Sequence, residues 1–141
     1  SKVLLITDNK EIGGLIEYFL SADGFRVMRA KDDKEGLAAA IATPPDAYVL
    51  SVLSTQNPFY KYSHQPRGME LPVTIEFLKE IDRRGLNHKP TIIMTDDSRS
   101  EELKAGLEGI NSKIQVYQTE LPLFKLIGKI IRGDAPGYQR L

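Results

Sequence analysis

The stretch that most constrains the fold is DAYVLSVLS, residues 46–54, in which an apolar run ends on a hydroxyl. An unbroken apolar run, here from Ala47 to Leu50, is typical of a parallel strand that helices cover on both faces. Ser51 is the first polar side chain after this run. Because ligands of open α/β sheets bind just beyond the carboxyl ends of the strands, Ser51 stands where a functional site is expected.

The composition is that of an ordinary globular domain. The 141 residues fit one domain with its own core, and 41% hydrophobic with 27% charged residues indicates neither disorder nor a fibrous class. The 19 basic residues are balanced by 19 acidic ones, which argues against a domain that grips nucleic acid. There is no cysteine, so disulfides and cysteine-bound zinc are excluded.

The sequence shows neither a membrane-spanning stretch nor a signal-peptide pattern. No apolar stretch approaches the roughly 18 residues that span a bilayer, and the first residues, SKVLLITD, enter a strand without a signal-peptide layout. We therefore expect a cytoplasmic protein, or a domain of one, with neither a membrane nor a nucleic acid as partner.

Strand and helix patterns alternate along the chain. Strand-like runs cover residues 3–7, 25–30, 47–50, 90–95 and 114–119. Apolar residues at helical spacing follow each run: Ile12, Leu15, Ile16, Phe19 and Leu20; Leu37, Ala40 and Ile41; Val73, Phe77, Leu78 and Ile81; Leu103 and Leu107; and Leu123, Leu126, Ile127, Ile130 and Ile131. We therefore predict an α/β fold, a doubly wound five-stranded parallel sheet of flavodoxin-like order 2-1-3-4-5 in a three-layer sandwich.

One segment interrupts the alternation. Residues 54–71 show no period and are rich in Pro, Gly, Asn, Ser and Gln, which predicts a long loop between the third strand and the third helix. The loop carries Phe59, Tyr60, Tyr62 and His64. A contact surface and packing of the loop over the sheet edge explain these aromatic residues equally well. We assign residues 1–132 to the domain and interpret residues 133–141 as a tail or the start of a linker.

Four motifs, taken in order, resemble the receiver domain of bacterial two-component response regulators. KVLLITDNKE is similar to the family's first strand and acidic turn, and PDAYVLSVLS to the strand that carries the phospho-acceptor aspartate. KPTIIMT is similar to the strand with the switch hydroxyl, and VYQTE to the strand with an aromatic residue and a lysine. The resemblance covers residues 3 to about 132 and implies a CheY-like signalling module that binds proteins and is not an enzyme.

The resemblance also implies which residues occupy the family's reactive positions. The acidic pair that holds a divalent cation becomes Thr7 and Asp8, so that one carboxylate remains. The phospho-acceptor position is taken by Ser51, and the switch hydroxyl is kept as Thr95.

The lysine of the family is absent under either alignment of the fifth strand. Its position falls on Glu120 if YQTE is aligned directly, and on Thr119 if the following loop is one residue longer. Tyr117 takes the switch-aromatic position in the first alignment and Val116 in the second.

These departures predict a degenerate receiver, or pseudo-receiver, without a cofactor. Asp8 alone makes a weak magnesium site, because Mg²⁺ is held by one or two carboxylates together with substrate phosphate. Ser51 without an adjacent base is a poor nucleophile, and neither His64 nor His88 follows a strand to supply one. Glu120 would oppose an arriving phosphoryl group.

Other interpretations stay open at this point. Asp8, Asp96 and Glu120 form a hypothetical rearranged cation site, and the strand-end mouth with the long loop would suit a small-molecule or metal sensor. Ser51 is either a phosphorylation site or a strand-end serine with a structural role. An enzyme ranks last, because no nucleophile has its base.

The resemblance places the usual partner surface on the fourth helix, fifth strand and fifth helix. We expect it to be an ordinary solvated face, bearing Glu101, Glu102, Lys104, Tyr117 and Lys125. With the aromatic loop, it is the predicted interaction surface; the sequence predicts no oligomeric state.

Overall fold

The computed structural model describes residues 1–52, 69–95, 99–110 and 113–141, and within them five strands alternate with five helices. The elements are β1 (Lys2–Ile6), α1 (Lys10–Ala22), β2 (Arg26–Ala30), α2 (Asp33–Ala42), β3 (Ala47–Ser51), α3 (Leu71–Arg83), β4 (Thr91–Thr95), α4 (Ser100–Gly106), β5 (Ile114–Gln118) and α5 (Leu121–Ile131). All neighbouring strands are parallel, in the order β2-β1-β3-β4-β5. The predicted fold class and strand order are confirmed.

The central strands are buried on both faces because successive side chains point to opposite sides of the sheet and helices cover both sides. Ala47 and Val49 of β3 join the core cluster beneath α1 and α5. Tyr48 and Leu50 join the cluster beneath α2, α3 and α4. All four are at most 1% exposed, which explains why β3 is continuously apolar in sequence.

The turns at the carboxyl edge of the sheet are held by side chains that cap the helices. The Asn9 side chain accepts a hydrogen bond from the Ile12 N–H at 3.0 Å and begins α1. Asp32 accepts one from the Glu35 N–H at 2.9 Å and begins α2. Each cap satisfies a backbone donor that the first helical turn leaves unpaired. The two caps therefore fix the conformation of the turns from β1 to α1 and from β2 to α2.

Helix α3 begins at Leu71, within the segment that the sequence assigned to a loop. Pro72 stands in its first turn, where a missing backbone N–H costs nothing, and Leu71 is 2% exposed. The loop residues Phe59, Tyr60, Tyr62 and His64 lie outside the described residues.

Among the described residues, no helix combines the length and the apolar character needed to cross a membrane.

Candidate functional site

Three hydroxyl side chains lie at the carboxyl edge of the sheet on three adjacent strands. Thr7 follows β1, Ser51 ends β3 and Thr95 ends β4, and β3 lies between the other two strands. The Val52 N–H donates to the Met94 carbonyl at 2.8 Å, so β3 and β4 stay paired up to this edge. The structure therefore brings together the positions that the resemblance assigns to the cation pair, the acceptor and the switch hydroxyl.

The Thr7 side chain belongs to the turn between β1 and α1. Thr7 is 6% exposed, its N–H donates to the Ala30 carbonyl at 3.0 Å, and its Oγ1 accepts from the Asn9 N–H at 3.2 Å. Asp8, next in the chain, is exposed. At the position that the resemblance assigns to one of two cation-binding carboxylates, the Thr7 hydroxyl instead holds the turn between β1 and α1.

Thr95 is the most enclosed of the three hydroxyl residues. Its side chain is 1% exposed, and within the described part of the chain its Oγ1 has no hydrogen-bond partner. Its carbonyl accepts from the Thr119 N–H at 3.0 Å, which joins β4 to the start of the β5–α5 connection. A buried hydroxyl that stays without a partner costs about 1–3 kcal/mol, so a new hydrogen bond to this atom would be stabilising.

Glu120 is hydrogen-bonded to Tyr138, in the last residues of the chain. It precedes α5, where its side chain makes no capping hydrogen bond, and its Oε1 accepts from the Tyr138 hydroxyl at 2.6 Å. Desolvation raises the pKa of Tyr138 to about 12, and the hydrogen bond and negative charge of Glu120 act in the same direction. The phenol therefore stays protonated and donates at neutral pH.

The prediction that Tyr117 is solvated is wrong. Tyr117 is 2% exposed, its hydroxyl donates to the Gln115 side-chain oxygen at 2.5 Å, and its ring centroid lies 5.6 Å from that of Tyr138. Val116, the alternative switch-aromatic position, is also buried, at 6% exposure. Val116 belongs to the core cluster beneath α2, α3 and α4, and Tyr117 to the cluster beneath α1 and α5, so the two side chains are covered on opposite faces of the sheet.

We call residues 133–141 the C-terminal strap. Gly133, with φ of 78°, turns the chain at the end of α5, and the Leu141 N–H donates to the Val116 carbonyl at 2.9 Å. Sequence reasoning interpreted this segment as a tail or linker start and missed its contacts. Tyr138 and Leu141 are the last apolar side chains in a mostly polar stretch, and two isolated apolar residues are only a weak sign of packing.

The candidate cation site of three carboxylates is only partly described. Asp96 lies outside the described residues, so its part in such a site stays a prediction. Among the residues that the structure describes, no group of three or more His, Cys, Asp or Glu side chains is placed to hold a metal ion. Glu120 contacts Tyr138, as given above.

A cleft of about 760 Å³ opens at the carboxyl ends of β1 and β2. Thr7 lines it together with three basic side chains and three acidic ones: Lys10, Arg29, Lys31, Asp8, Asp32 and Glu35. Arg29 forms an ion pair with Glu17 at 3.3 Å, and Lys31 forms one with Glu35 at 3.5 Å. Much of the charge around the cleft is therefore already paired within the protein.

The architecture matches that of response regulator receiver structures. The chemotaxis protein CheY4 of Vibrio cholerae aligns with a TM-score of 0.66 at 16% identity, over 94% of this chain and 97% of that one. The receiver domain of the Francisella response regulator 1452 aligns with a TM-score of 0.65 at 20% identity, over 94% and 96%. At these identities the likeness shows the fold alone, which is CheY-like.

Sequence similarity to a transcriptional regulatory protein adds to this structural likeness. The chain is 28% identical over 140 residues to PhoP of Bacillus subtilis (strain 168), the alkaline phosphatase synthesis transcriptional regulatory protein. The match covers 94% of this chain and 58% of PhoP, so the chain spans little more than half of that relative. No protein-family model matches the chain. Fold and sequence similarity together support a response regulator receiver (CheY-like) domain.

Proposed function

We propose that this chain is a pseudo-receiver, a signalling domain of the two-component type that aspartyl phosphate does not switch and that acts by binding protein partners. The observation that carries the proposal is Ser51 at the end of β3, the position of the acceptor carboxylate in the receiver resemblance. A carboxylate there is both nucleophile and metal ligand. A serine hydroxyl is a poor nucleophile unless a base activates it, and it offers no negative charge to a cation.

The surrounding residues support the proposal. Thr7, in place of one acidic residue, uses its hydroxyl oxygen to hold the β1–α1 turn. Glu120, in place of the lysine in one alignment, carries a negative charge and accepts a hydrogen bond from Tyr138. An arriving phosphoryl group would therefore meet a site that lacks a second cation-binding carboxylate, besides the one missing at position 51, and that carries one repulsive charge.

The proposal includes the location and partners of the domain. We place it in the cytoplasm, in contact with proteins rather than nucleic acid or membrane, with no catalytic residue and no cofactor. PhoP is named as a transcriptional regulatory protein, and the chain spans 58% of it. We therefore propose a regulatory role in two-component signalling, and we do not assign the transcriptional activity of PhoP to this chain.

A small-molecule or metal sensor is the second candidate, and the cleft at the ends of β1 and β2 favours it. The ion pairs of Arg29 and Lys31 with their acidic neighbours would have to reorganise before these cations bind an anionic ligand. A ligand that fits the cleft should raise the thermal midpoint of unfolding, since binding to the folded state alone stabilises it.

A small-molecule phosphodonor tests the proposal. After incubation with acetyl phosphate and Mg²⁺, the intact mass of the protein is expected to stay unchanged, because no carboxylate stands at position 51. Ser51→Ala is the matched control, since it removes the hydroxyl and leaves the strand. A phosphoryl adduct that hydroxylamine removes from the wild-type protein would identify an acyl phosphate and contradict the proposal.

A further inference from the structure

We propose that the outer edge of β5 is a docking site for an extended protein segment of the form Tyr-x-x-Leu, and that the C-terminal strap occupies this site as an intramolecular competitor. The inference rests on the proposed protein-binding function and names its surface. In the structure the x-x residues of the strap are Gln139 and Arg140.

The first argument is the backbone of β5. This strand ends the sheet on the side opposite β2, so one of its edges has no strand neighbour among the described residues. The strap bonds to it through the Leu141 N–H and the Val116 carbonyl, at 2.9 Å. An unpaired strand edge accepts an extended peptide by main-chain hydrogen bonds, and side-chain pockets then supply specificity.

The second argument is that the strap carries one anchor for each face of the sheet. Tyr138 packs against the core cluster beneath α1 and α5, stacks at a tilt on Tyr117, and donates its hydroxyl to Glu120. Leu141 packs against the cluster on the other face, which includes Val116. The strap therefore crosses the sheet edge, and the spacing of three residues between its anchors is what a competing segment must reproduce.

The third argument is that the strap is held by few contacts. Of its nine residues, six are exposed and only Ala135, Tyr138 and Leu141 are partly buried. A void of about 130 Å³ remains between it, β5 and α5, and a groove of about 360 Å³ beside Leu141 is lined in part by Leu107, Ile114 and Val116. Segments with so few buried apolar contacts open at low free-energy cost, so a better-fitting segment can displace the strap.

Glu120 gains a role on this account. The carboxylate that replaces the family lysine in one alignment provides the acceptor for the first anchor, Tyr138. Glu120, whose charge opposes a phosphoryl group at the carboxyl ends of the strands, thus also forms part of the docking site on β5.

A spin label tests whether the strap is docked in solution. The protein has no cysteine, and a Cβ at Gly137 would meet no atom within 4 Å, so Gly137→Cys accepts a nitroxide on the strap without a clash. The label is expected to broaden the amide resonances of Val116, Tyr117 and Gln118. Adding Glu120→Gln or Tyr138→Phe should reduce this broadening; unbroadened β5 resonances in the singly labelled protein would overturn the proposal.

A peptide tests the site itself. The nonapeptide GDAPGYQRL is expected to bind Tyr138→Ala/Leu141→Ala protein and to shift the resonances of β5. It should bind wild-type protein at least about tenfold more weakly, because a tethered competitor acts at a millimolar effective concentration. Equal binding to both proteins, or binding to neither, would overturn the proposal.

Two controls keep these results separate from folding and from the proposed function. The peptide with alanine in place of tyrosine should not bind, and α1 resonances of each variant should match the wild type; Tyr138→Phe is the milder variant if the double alanine protein unfolds. A failed strap experiment leaves the phosphodonor result untouched, whereas an acyl phosphate adduct contradicts the pseudo-receiver proposal whatever the strap does.

Discussion

Replacing Leu50 with alanine is expected to lower the free energy of unfolding by about 2–5 kcal/mol, the usual range for a large-to-small change in a close-packed core. Leu50 is fully buried, pairs with Ile6 of β1 and Ile93 of β4, and belongs to the cluster beneath α2, α3 and α4. Because it lies in the middle of the sheet, the surrounding structure has little room to close the cavity. Urea unfolding followed by circular dichroism measures the change.

Ile41→Ala is the matched control for this prediction. Ile41 lies on α2 and is 48% exposed, so its truncation is expected to change the free energy of unfolding by about 0.5 kcal/mol or less. A loss at Leu50 no larger than the loss at Ile41 would contradict the assignment of β3 to the centre of the core.

The double substitution Thr7→Asp/Ser51→Asp is expected to lower stability by about 1–3 kcal/mol in the absence of divalent cations, in the range of unpaired charges at partly buried positions. Both positions lie at the carboxyl edge of adjacent strands, and Asp8 follows Thr7 in the chain. Two new carboxylates beside Asp8 repel one another, and at Thr7 the new charge occupies a site that is 6% exposed.

Magnesium is expected to reverse much of that loss, because clustered carboxylates supply the oxygen ligands that it prefers. At a Mg²⁺ concentration ten times the dissociation constant, linkage predicts a recovery of about 1.4 kcal/mol. The neutral variant Thr7→Asn/Ser51→Asn should show no such recovery. Thermal unfolding with and without Mg²⁺ makes the comparison, and an equal magnesium effect on wild-type protein would contradict the account of a weakened cation site.

The fold could be predicted because it is encoded in local patterns. The central strands β1, β3 and β4 are buried on both faces, which makes runs such as residues 47–50 continuously apolar, whereas the edge strand β2 alternates apolar and polar residues. The longer helices repeat their apolar residues at helical spacing. The order of the strands then follows from the rules for parallel crossovers. The predicted loop includes Leu71, which is the first residue of α3, because Leu71 adjoins a proline and a segment without any period.

The strap could not be predicted because its contacts are non-local. Tyr138 and Leu141 are isolated apolar residues in a polar stretch, so they produce no period that indicates structure. Their partners, Tyr117 and Val116, lie more than twenty residues earlier in the chain, and only the folded sheet edge brings the two pairs together. For the same reason the sequence predicts Glu120 only as a charge at the carboxyl ends of the strands and does not predict the hydrogen bond that it accepts from Tyr138.

The central claim is that the carboxyl edge of the sheet does not respond to a phosphoryl group. The most direct test is an amide NMR spectrum of labelled protein, recorded alone, then with Mg²⁺, and then with Mg²⁺ and beryllofluoride as a phosphoryl mimic. We expect the resonances of Asp8, Ser51, Thr95 and Glu120 to stay at the same positions when beryllofluoride is added. Shifts at these residues that require beryllofluoride would contradict the pseudo-receiver account.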